Sequence, residues 1–215
     1  MRIVNPGFEF LTVPDAAVML PLIEKAGRTC YKSESNITET SAKNFVGKII
    51  KSGHMSVIEH VSMTARFICD RGISHELVRH RMASYSQEST RYANYAKDRF
   101  DNEITVIRPF FWEEGTAEWQ LWYDAMLAAE KAYMELIAKG AKAQEARSVL
   151  PNSLKTELVM TANLREWRHV IELRCAPDAH PQIREIMIPF LQEANRLVPV
   201  VFEDLAEKYL NYTLM

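Results

Sequence analysis

The chain has 215 residues and a formal net charge of -2, so the molecule as a whole has no basic field that would attract nucleic acid. Local clusters of positive charge must therefore hold any anionic ligand. Apolar residues make up 47% and charged residues 25%, the balance of a soluble globular protein. The length predicts one domain over residues 1–215, with two small domains as the alternative.

Three cysteines, Cys30, Cys69 and Cys175, stand far apart and form no CxxC pair. This odd number argues against a disulfide framework or a zinc knuckle and favours a reducing cytoplasm. Cys175 follows Arg174, but it stands near an apolar run that is more typical of a buried hydrophobe than of a nucleophile. No signal peptide or membrane helix is predicted, because the sequence lacks the long apolar runs that both require. We expect a soluble cytoplasmic protein with no membrane partner.

The first half of the chain is predicted to mix short strands with helices. Asp15 can cap a helix, Gly53 can end one, and apolar residues alternate with polar ones from Val61 to Asp70 as in a half-buried strand. The predicted elements are an edge strand or hairpin over 2–13 interrupted at Pro6-Gly7, a helix from Asp15 to about Gly27, a helix from about Thr38 to Ser52, a strand over 61–70, and a short helix from Ile73 to about Arg81. The polar stretch 84–95 that follows is predicted to be a loop.

The second half is predicted to be mainly helical. A long helix carries an apolar stripe of Trp119, Trp122, Met126 and Leu127, and Pro151 ends the helix after it. The predicted elements are a strand over 104–107, helices over about 113–139 and 141–149, a strand over 154–162, and helices over 164–175 and about 180–209, the last bent or broken at Pro189 and Pro199. Few strands among many helices, without regular βαβ alternation, predict an α+β fold with a small mixed or antiparallel sheet packed with several long helices.

Several common cofactor and metal motifs are missing from the sequence. No GxGxxG follows a strand and no GxxxxGK[ST] is present, so neither a Rossmann site nor a P-loop is predicted. His75 and His80 form HExxxH, whose histidines would lie about 140° apart on a helix. His54 and His60 flank Glu59 at a spacing that matches no standard metal site. We therefore predict no metal centre.

Arginine dominates the middle of the chain. Between Arg66 and Arg108 there are seven arginines and one lysine, and the densest part is the segment Arg79–Tyr92, RHRMASYSQESTRY. Guanidinium groups bind phosphate bidentately, and each charge-assisted hydrogen bond contributes about 1.5–3 kcal/mol when it is shielded from water. Six acidic residues share the wider segment, so the alternative is a solvated face of weak ion pairs. The chemistry of the segment favours an anion-binding cleft.

Four segments of the sequence, spread over about 120 residues, resemble the signatures of the flavin-dependent thymidylate synthases. They are RHR followed after seven residues by Ser (Arg79 to Ser89) and continuing to Arg91-Tyr92; GHMSVIEH at 53–60, similar to the family's GHxSxxEH; ARSVLP at 146–151; and Asn163-Leu164-Arg165 through His169 to Arg174. A lone RHR would be weak evidence, whereas four ordered segments are strong evidence of a resemblance.

The resemblance implies FAD as cofactor, dUMP as substrate, NADPH and 5,10-methylenetetrahydrofolate as co-substrates, and a homotetramer whose active sites lie where subunits meet. The residues at the family's FAD positions are Ser56, Arg79, His80, Arg81, Gln87, Asn163, Leu164, Arg165 and His169, with His54 near flavin and folate. The residues at its dUMP positions are Glu76, Leu77, Val78, Arg79, Gln87, Glu88, Ser89, Thr90, Arg91, Arg147 and Arg174. Gln87 departs from the pattern, since many members carry Glu there.

The last segment is predicted to be a helix with functional groups on two sides. Arg165 and His169 lie one turn apart and share a face, whereas Arg174 lies about 180° around from Arg165. One helix could therefore contact two ligands, or two cavities, on opposite sides. Asn163 is a good N-cap candidate and could serve only the helix.

The implied activity is reductive methylation of dUMP to dTMP through FAD, without a cysteine nucleophile. Uracil C5 is a poor nucleophile, so the ring must be polarised, and Arg174 is the predicted catalytic residue because its cation would favour an enolate-like ring. Ser89 is expected to bind phosphate rather than act as a nucleophile.

Three alternatives remain at this point. They are another nucleotide-dependent flavoprotein oxidoreductase, a thiol-dependent thymidylate synthase, and a module that binds phosphorylated ligands or single-stranded nucleic acid on the stretch 79–95. The net charge of -2 argues against a nucleic-acid partner.

Overall fold

A computed structural model describes residues 1–210 of the protein, apart from the side chain of Arg99. The strands are β1 (Arg2–Val4), β2 (Gly7–Phe10), β3 (Ser62–Asp70), β4 (Ala83–Gln87), β5 (Thr105–Ile107) and β6 (Lys155–Asn163). The helices are α1 (Ala16–Thr29), α2 (Ser41–Lys51), α3 (Arg71–Leu77), α4 (Ala117–Ala138), α5 (Ala143–Ala146), α6 (Leu164–Arg174), α7 (Pro181–Leu197) and α8 (Pro199–Tyr209). Within residues 1–210, no helix is both long and apolar enough to cross a membrane.

The strands form two groups. β2, β3, β6 and β4 make a small antiparallel sheet in that order, and β1 pairs with β5 in a parallel two-stranded ribbon. Strands are few and helices many, so the α+β prediction is confirmed.

Two compact units make up the fold, and each combines three separate stretches of the chain. The first unit contains Met1–Gly7, Phe67–Arg79 and Ser86–Val159; the second unit contains Phe8–Arg66, His80–Tyr85 and the chain from Met160 onward. The expectation of one domain over residues 1–215 stays a prediction.

Aromatic side chains form the core of the first unit. Trp119, Trp122 and Met126 are buried along one face of α4, as their spacing predicts, and Tyr133 is fully buried two turns further along the same face. Leu127, which was predicted to belong to this stripe, is exposed because it lies about 100° around the helix from Met126. The indole Nε1 of Trp122 donates to Ser153 Oγ at 3.1 Å, so burial leaves this polar atom with a partner. α4 therefore fixes the chain around Ser153, directly before β6.

α6 is the central helix of the second unit. Asn163 caps it, since the Oδ1 atom of Asn163 accepts from the backbone N–H of Glu166 at 2.9 Å. Trp167 is fully buried, stacks on Phe190 with ring centroids 4.9 Å apart, and donates through Nε1 to the carbonyl of Met63 at 3.0 Å. Truncating such a residue costs about 3–5 kcal/mol, so the orientation of α6 is firmly held.

Of the two forms predicted for residues 2–13, the edge strand is confirmed, because β2 lies at the edge of the four-stranded sheet, and the hairpin is wrong. β1 pairs with β5 and β2 with β3, so the two strands on either side of Pro6-Gly7 enter different sheets. Each partner is distant in sequence, and local turn signals carry no information about such pairing.

The segment after Asp70 also differs from the prediction. α3 begins at Arg71 because Asp70 Oδ1 accepts from the backbone N–H of Ile73 at 2.7 Å, and it ends at Leu77 rather than near Arg81. The stretch predicted as a loop contains strand β4, whose side chains are half-buried or exposed and show no apolar period.

Three helix boundaries in the second half differ from those predicted. α4 begins at Ala117 because Thr116 caps it, and the stretch 141–149 forms only the short α5 and a 3₁₀ turn over Arg147–Val149. α7 continues through Pro189, where buried neighbours such as Phe190 and Leu191 offset the lost hydrogen bond. The helix is interrupted only at Val198, whose backbone is not helical because Pro199 disfavours the α conformation in the residue before it.

Candidate active site

His80 and Arg174 meet inside the second unit. The Nε–H of Arg174, the last residue of α6, donates to Nε2 of His80 at 3.0 Å. The ring of His169 approaches the His80 ring edge-on, with centroids 5.9 Å apart. His169 and Arg174 therefore converge on one imidazole. The sequence predicted that His169 shares a face with Arg165 and that Arg174 points to the opposite side of α6. Instead, the side chains of His169 and Arg174 both approach His80, because a long arginine side chain can reach around the helix end.

Burial keeps His80 neutral. Its side chain is only 4% exposed, and desolvation, with the positive charge of Arg174 and the neighbouring His169, lowers the pKa of His80 to about 4. Because Nε2 accepts a hydrogen bond, the proton of the neutral ring sits on Nδ1, which faces Glu166 Oε1 at 3.7 Å. That contact is therefore an approach of a neutral N–H to a carboxylate rather than an ion pair.

Tyr85 completes the surroundings of His80. Its hydroxyl donates to the backbone carbonyl of His80 at 2.6 Å, which ties β4 to the RHR segment. Burial, with the nearby Glu166 carboxylate, raises the pKa of Tyr85 to about 12, so the phenol stays protonated and remains a donor. Neither Tyr85 nor Glu166 was predicted from the sequence, where a lone Tyr and a helical Glu carry no functional signal.

A pocket of about 330 Å³ in the second unit lies beside α6. It is lined by Glu59, Met82, Asn163, Arg165, Glu166 and His169. Arg165 donates to Glu59 Oε1 at 2.6 Å, a bond between two of the four signature segments. The pocket combines a guanidinium, an imidazole and an amide with the exposed apolar side chain of Met82, a set suited to a polar ligand with one apolar face.

The other predicted cofactor residues of the second unit fall into two groups. His54, Ser56 and Arg81 are exposed, with His54 at the start of the 3₁₀ turn over Met55–His60. Leu164 is fully buried and its backbone N–H donates to the carbonyl of Val61 at 2.9 Å, so its side chain is unavailable to a ligand.

A second polar pocket, of about 500 Å³, belongs to the first unit. Its donors include Arg71, His75, Thr90 and Arg147, and the Nη1 of Arg147 donates to Thr90 Oγ1 at 3.4 Å. This bond joins the segment after RHR to the ARSVLP segment. The Nη1 of Arg71 is buried without a hydrogen-bond partner among the described residues, so it is an unsatisfied donor at the pocket lining. Arg71 and His75 were not predicted as site residues, since both lie in α3 before the signature begins.

Gln87 and Glu88 lie in the first unit, and hydrogen bonds to neighbouring side chains hold both of them. Glu88 accepts from the hydroxyl of Tyr95 at 3.1 Å and from Lys155 at 3.3 Å. Gln87 Nε2 donates to the buried hydroxyls of Ser74 at 2.9 Å and Thr156 at 3.3 Å. Gln87 thus acts here as a hydrogen-bond donor, a role that a Glu carboxylate could not fill.

The remaining predicted substrate residues of the first unit are dispersed. Arg79 and Arg91 are exposed, and Arg91 lies over the ring of Tyr92 at 5.5 Å. The hydroxyl of Ser89 accepts from the backbone N–H of Arg91 at 3.3 Å, which leaves the hydroxyl proton available to another acceptor. The side chain of Leu77 is buried in the core, whereas those of Glu76 and Val78 are half-buried.

The thiols lack the features of an activated nucleophile. Cys30, Cys69 and Cys175 are free, and only Cys30 is exposed. Burial raises the pKa of both Cys69 and Cys175 to about 12, so neither forms a thiolate near neutral pH. Among the described residues, no group of three or more His, Cys, Asp or Glu side chains could hold a metal ion.

Comparison with known sequences identifies close relatives. Residues 18–200 match the family described as "Thymidylate synthase complementing protein". A flavin-dependent thymidylate synthase of Geobacter sulfurreducens is 36% identical over 198 residues, which cover 89% of this chain and 82% of the relative. The proteins of the same description from Mycobacterium sp. (strain JLS) and Mycobacterium tuberculosis (strain ATCC 25177 / H37Ra) are 38% and 37% identical, with 88% and 85% of this chain and 81% and 78% of the relatives covered.

Comparison with solved structures shows a shared fold. A UMP/dUMP methylase, PolB from Streptomyces cacaoi bound with 5-Br dUMP, superposes with a TM-score of 0.77 at 23% identity, covering 97% of this chain and 98% of the other. The same protein bound with 5-Br UMP gives a TM-score of 0.75 at 21% identity.

Proposed function

Since the chain belongs to the flavin-dependent thymidylate synthase family, we propose that it converts dUMP to dTMP with FAD as cofactor, NADPH as reductant and 5,10-methylenetetrahydrofolate as carbon donor. The observation that carries the proposal is that hydrogen bonds link the signature segments in pairs. Glu59 meets Arg165, His80 meets Arg174, and Thr90 meets Arg147. The paired residues are 106, 94 and 57 positions apart in the sequence, so each contact depends on the fold.

The pocket beside α6 suits part of FAD. Its Arg165, His169 and Asn163 side chains offer donors that pyrophosphate or ribityl oxygens require, and Met82 offers an apolar surface. At about 330 Å³ it is too small for the whole cofactor, so the exposed His54, Ser56 and Arg81 are proposed to complete the site. Bound FAD supplies hydride chemistry, and these side chains hold and orient it.

The first unit is proposed to bind the dUMP phosphate. The Arg147–Thr90 pocket offers a guanidinium and a hydroxyl, the partner-less Nη1 of Arg71 can donate into it, and Ser89 and Arg91 stand next along the chain. A phosphate held by several charge-assisted bonds fixes the position of the nucleotide and removes much of the entropy cost of reaction. Glu76, Leu77, Val78, Arg79, Gln87 and Glu88 are proposed to border the same nucleotide, Leu77 through its backbone.

Arg174 is proposed to polarise the uracil ring. His80 accepts from its Nε–H at 3.0 Å and so fixes the plane of the guanidinium, which is proposed to face N3 and a ring carbonyl oxygen. A fixed cation there stabilises negative charge as it develops on the ring and makes C5 nucleophilic without a covalent thiol adduct. Because His80 stays neutral, it positions Arg174 without adding a second positive charge.

We further propose a homotetramer in the cytoplasm. Arg79, Arg81 and Arg91 are exposed on the single subunit, and guanidinium groups that bind a ligand need to be shielded from water. A neighbouring subunit placed over them would supply that shielding. The three free thiols suit a reducing compartment.

Product analysis tests the proposed function. The purified protein should form dTMP from dUMP when FAD, NADPH and 5,10-methylenetetrahydrofolate are all present. NADPH oxidation without dTMP would instead indicate a different nucleotide-dependent oxidoreductase.

A further inference from the structure

A groove in the second unit, about 630 Å³ in volume, lies between α2 and α8 and has no part in the site described above. One wall carries Lys43, Lys48 and Lys51 of α2, with Gly47 between them. Glu203 and Asp204 of α8 lie on the other wall. Gly47 has no side chain, and the apolar side chain of Val200 approaches it from α8, 3.4 Å from where a Cβ would lie.

The three lysines form an unneutralised row. Lys43 and Lys51 are eight residues apart on α2, about 12 Å along its axis, and Lys48 lies between them on the same broad face. All three are exposed, and none lies within ion-pair distance of a carboxylate among residues 1–210. Charges of one sign on a concave surface attract an anion with several charged groups.

The opposite wall only partly offsets this charge. Asp204 is occupied, since both of its oxygens accept from Arg168, at 2.7 and 2.5 Å. Glu203 is exposed and remains available to accept a hydrogen bond. The groove therefore presents three ammonium groups and one acceptor, which fits a chain that alternates carboxylates with amide N–H groups. Inorganic polyphosphate has no such donor.

We infer that this groove binds the oligo-γ-glutamyl tail of the folate co-substrate, an inference that rests on the proposed function. Each γ-glutamyl residue adds one carboxylate for the lysine row and one amide N–H for Glu203. Lys51 ends α2, and His54, the residue proposed to lie near folate, follows three residues later, no more than about 11 Å along an extended chain. The tail of a folate bound near His54 thus starts at the Lys51 end of the groove.

The test compares 5,10-methylenetetrahydrofolate carrying one glutamate with the form carrying five. The wild-type enzyme should show a KM about tenfold lower for the pentaglutamate, since a few exposed ion pairs together supply that much affinity. The double variant Lys43→Gln/Lys48→Gln should reduce the advantage to about twofold or less while its kinetics with the monoglutamate stay unchanged. Raising the salt concentration should weaken the advantage of the wild type in the same direction. Lys25→Gln, on the exposed side of α1 outside the groove, is the matched control and should behave as wild type.

Each outcome decides the inference. Equal KM values for the two folates in the wild type, or an advantage that the double substitution leaves intact, would overturn it, while dTMP formed from the monoglutamate would still support the proposed function. If no dTMP forms with either folate, the proposed function fails. In that case, calorimetric titration with tetrahydrofolate mono- and pentaglutamate measures the affinity of the protein for the tail without turnover. Equal affinities for the two folates would overturn the groove assignment.

Discussion

The Nε–H of Arg174 donates to Nε2 of His80 across 3.0 Å, so the arginine proposed to polarise the substrate is held by the central residue of the RHR segment. Ninety-four positions separate the two residues in the sequence. The bond orients the guanidinium, and the positive charge of Arg174 helps to keep the imidazole neutral by lowering the pKa of His80. Several measurable consequences follow from this pairing and from the surrounding contacts.

Replacing Arg174 should abolish turnover without removing the flavin. In Arg174→Ala the cation that stabilises the developing ring charge is lost, and kcat should fall by about 10²–10³-fold or more. The flavin absorbance that stays with the protein on gel filtration should match wild type, because Arg174 does not line the pocket beside α6. Arg174→Lys keeps the charge and should recover a small part of the activity. Loss of flavin from the alanine variant would show that the assignment is wrong.

Replacing Arg165 should do the opposite and weaken flavin retention. Arg165 lines the pocket beside α6, and its Glu59 ion pair is about half exposed, so Arg165→Ala should lower the free energy of unfolding by less than about 1 kcal/mol. The Kd for FAD should rise about tenfold or more, because a charge-assisted bond to the cofactor is lost. Arg196→Ala removes an exposed arginine paired with Glu193 and serves as control. An unchanged Kd in Arg165→Ala would argue against the flavin pocket.

His80 should make stability depend on pH. Its pKa in the folded protein is about 4, below the ordinary 6.5, so the unfolded chain takes up the proton first as pH falls. The stabilisation is complete above pH 6.5 and is lost between 6.5 and 4, by at most about 3 kcal/mol. Urea unfolding at pH 7.5 and 5 should show this loss in the wild type and a smaller one in His80→Gln. Identical pH dependence in the two proteins would contradict the buried, neutral imidazole.

Gln87→Glu should destabilise the protein. The amide of Gln87 donates to Ser74 Oγ and Thr156 Oγ1, and the Ser74 hydroxyl already donates to the carbonyl of Arg71 at 2.9 Å. A carboxylate has no donor to replace the amide, so the free energy of unfolding should fall by about 1–3 kcal/mol. The free energy of unfolding should be measured by urea denaturation for Gln87→Glu and, as a control that removes the polar group, for Gln87→Met. A Glu variant as stable as wild type would contradict the donor role of Gln87.

Cysteine chemistry should be dispensable. Cys69 and Cys175 have raised pKa values and are buried, so iodoacetamide should modify Cys30 alone. dTMP formation should survive the modification, and it should also survive Cys→Ala at each position in turn. Loss of activity on alkylation of Cys30 would favour a thiol-dependent reaction.

Local signals explain which elements were predictable. Asp15 and Asn163 each cap a helix through a side-chain oxygen, and both caps were found from neighbouring residues alone. β4 could not be found this way, because it has no apolar alternation and its place is set by neighbouring β6. The parallel pairing of β1 with β5 likewise depends on contacts across about 100 residues.

The candidate site shows the same division. The four signature segments identified His80, Arg165, His169 and Arg174 as a group, and the fold places His80 against two of the others. The sequence did not indicate the partners that set their charge and orientation. Glu166 and Tyr85 act through three-dimensional proximity, which neither residue type nor spacing reveals.

The most direct test of the account is dTMP formation by protein first stripped of flavin. With dUMP, NADPH and 5,10-methylenetetrahydrofolate present, dTMP should appear only after FAD is added back, and it should disappear again in Arg174→Ala loaded with the same amount of FAD. Formation of dTMP without FAD, or full activity in the flavin-loaded Arg174→Ala variant, would contradict the account.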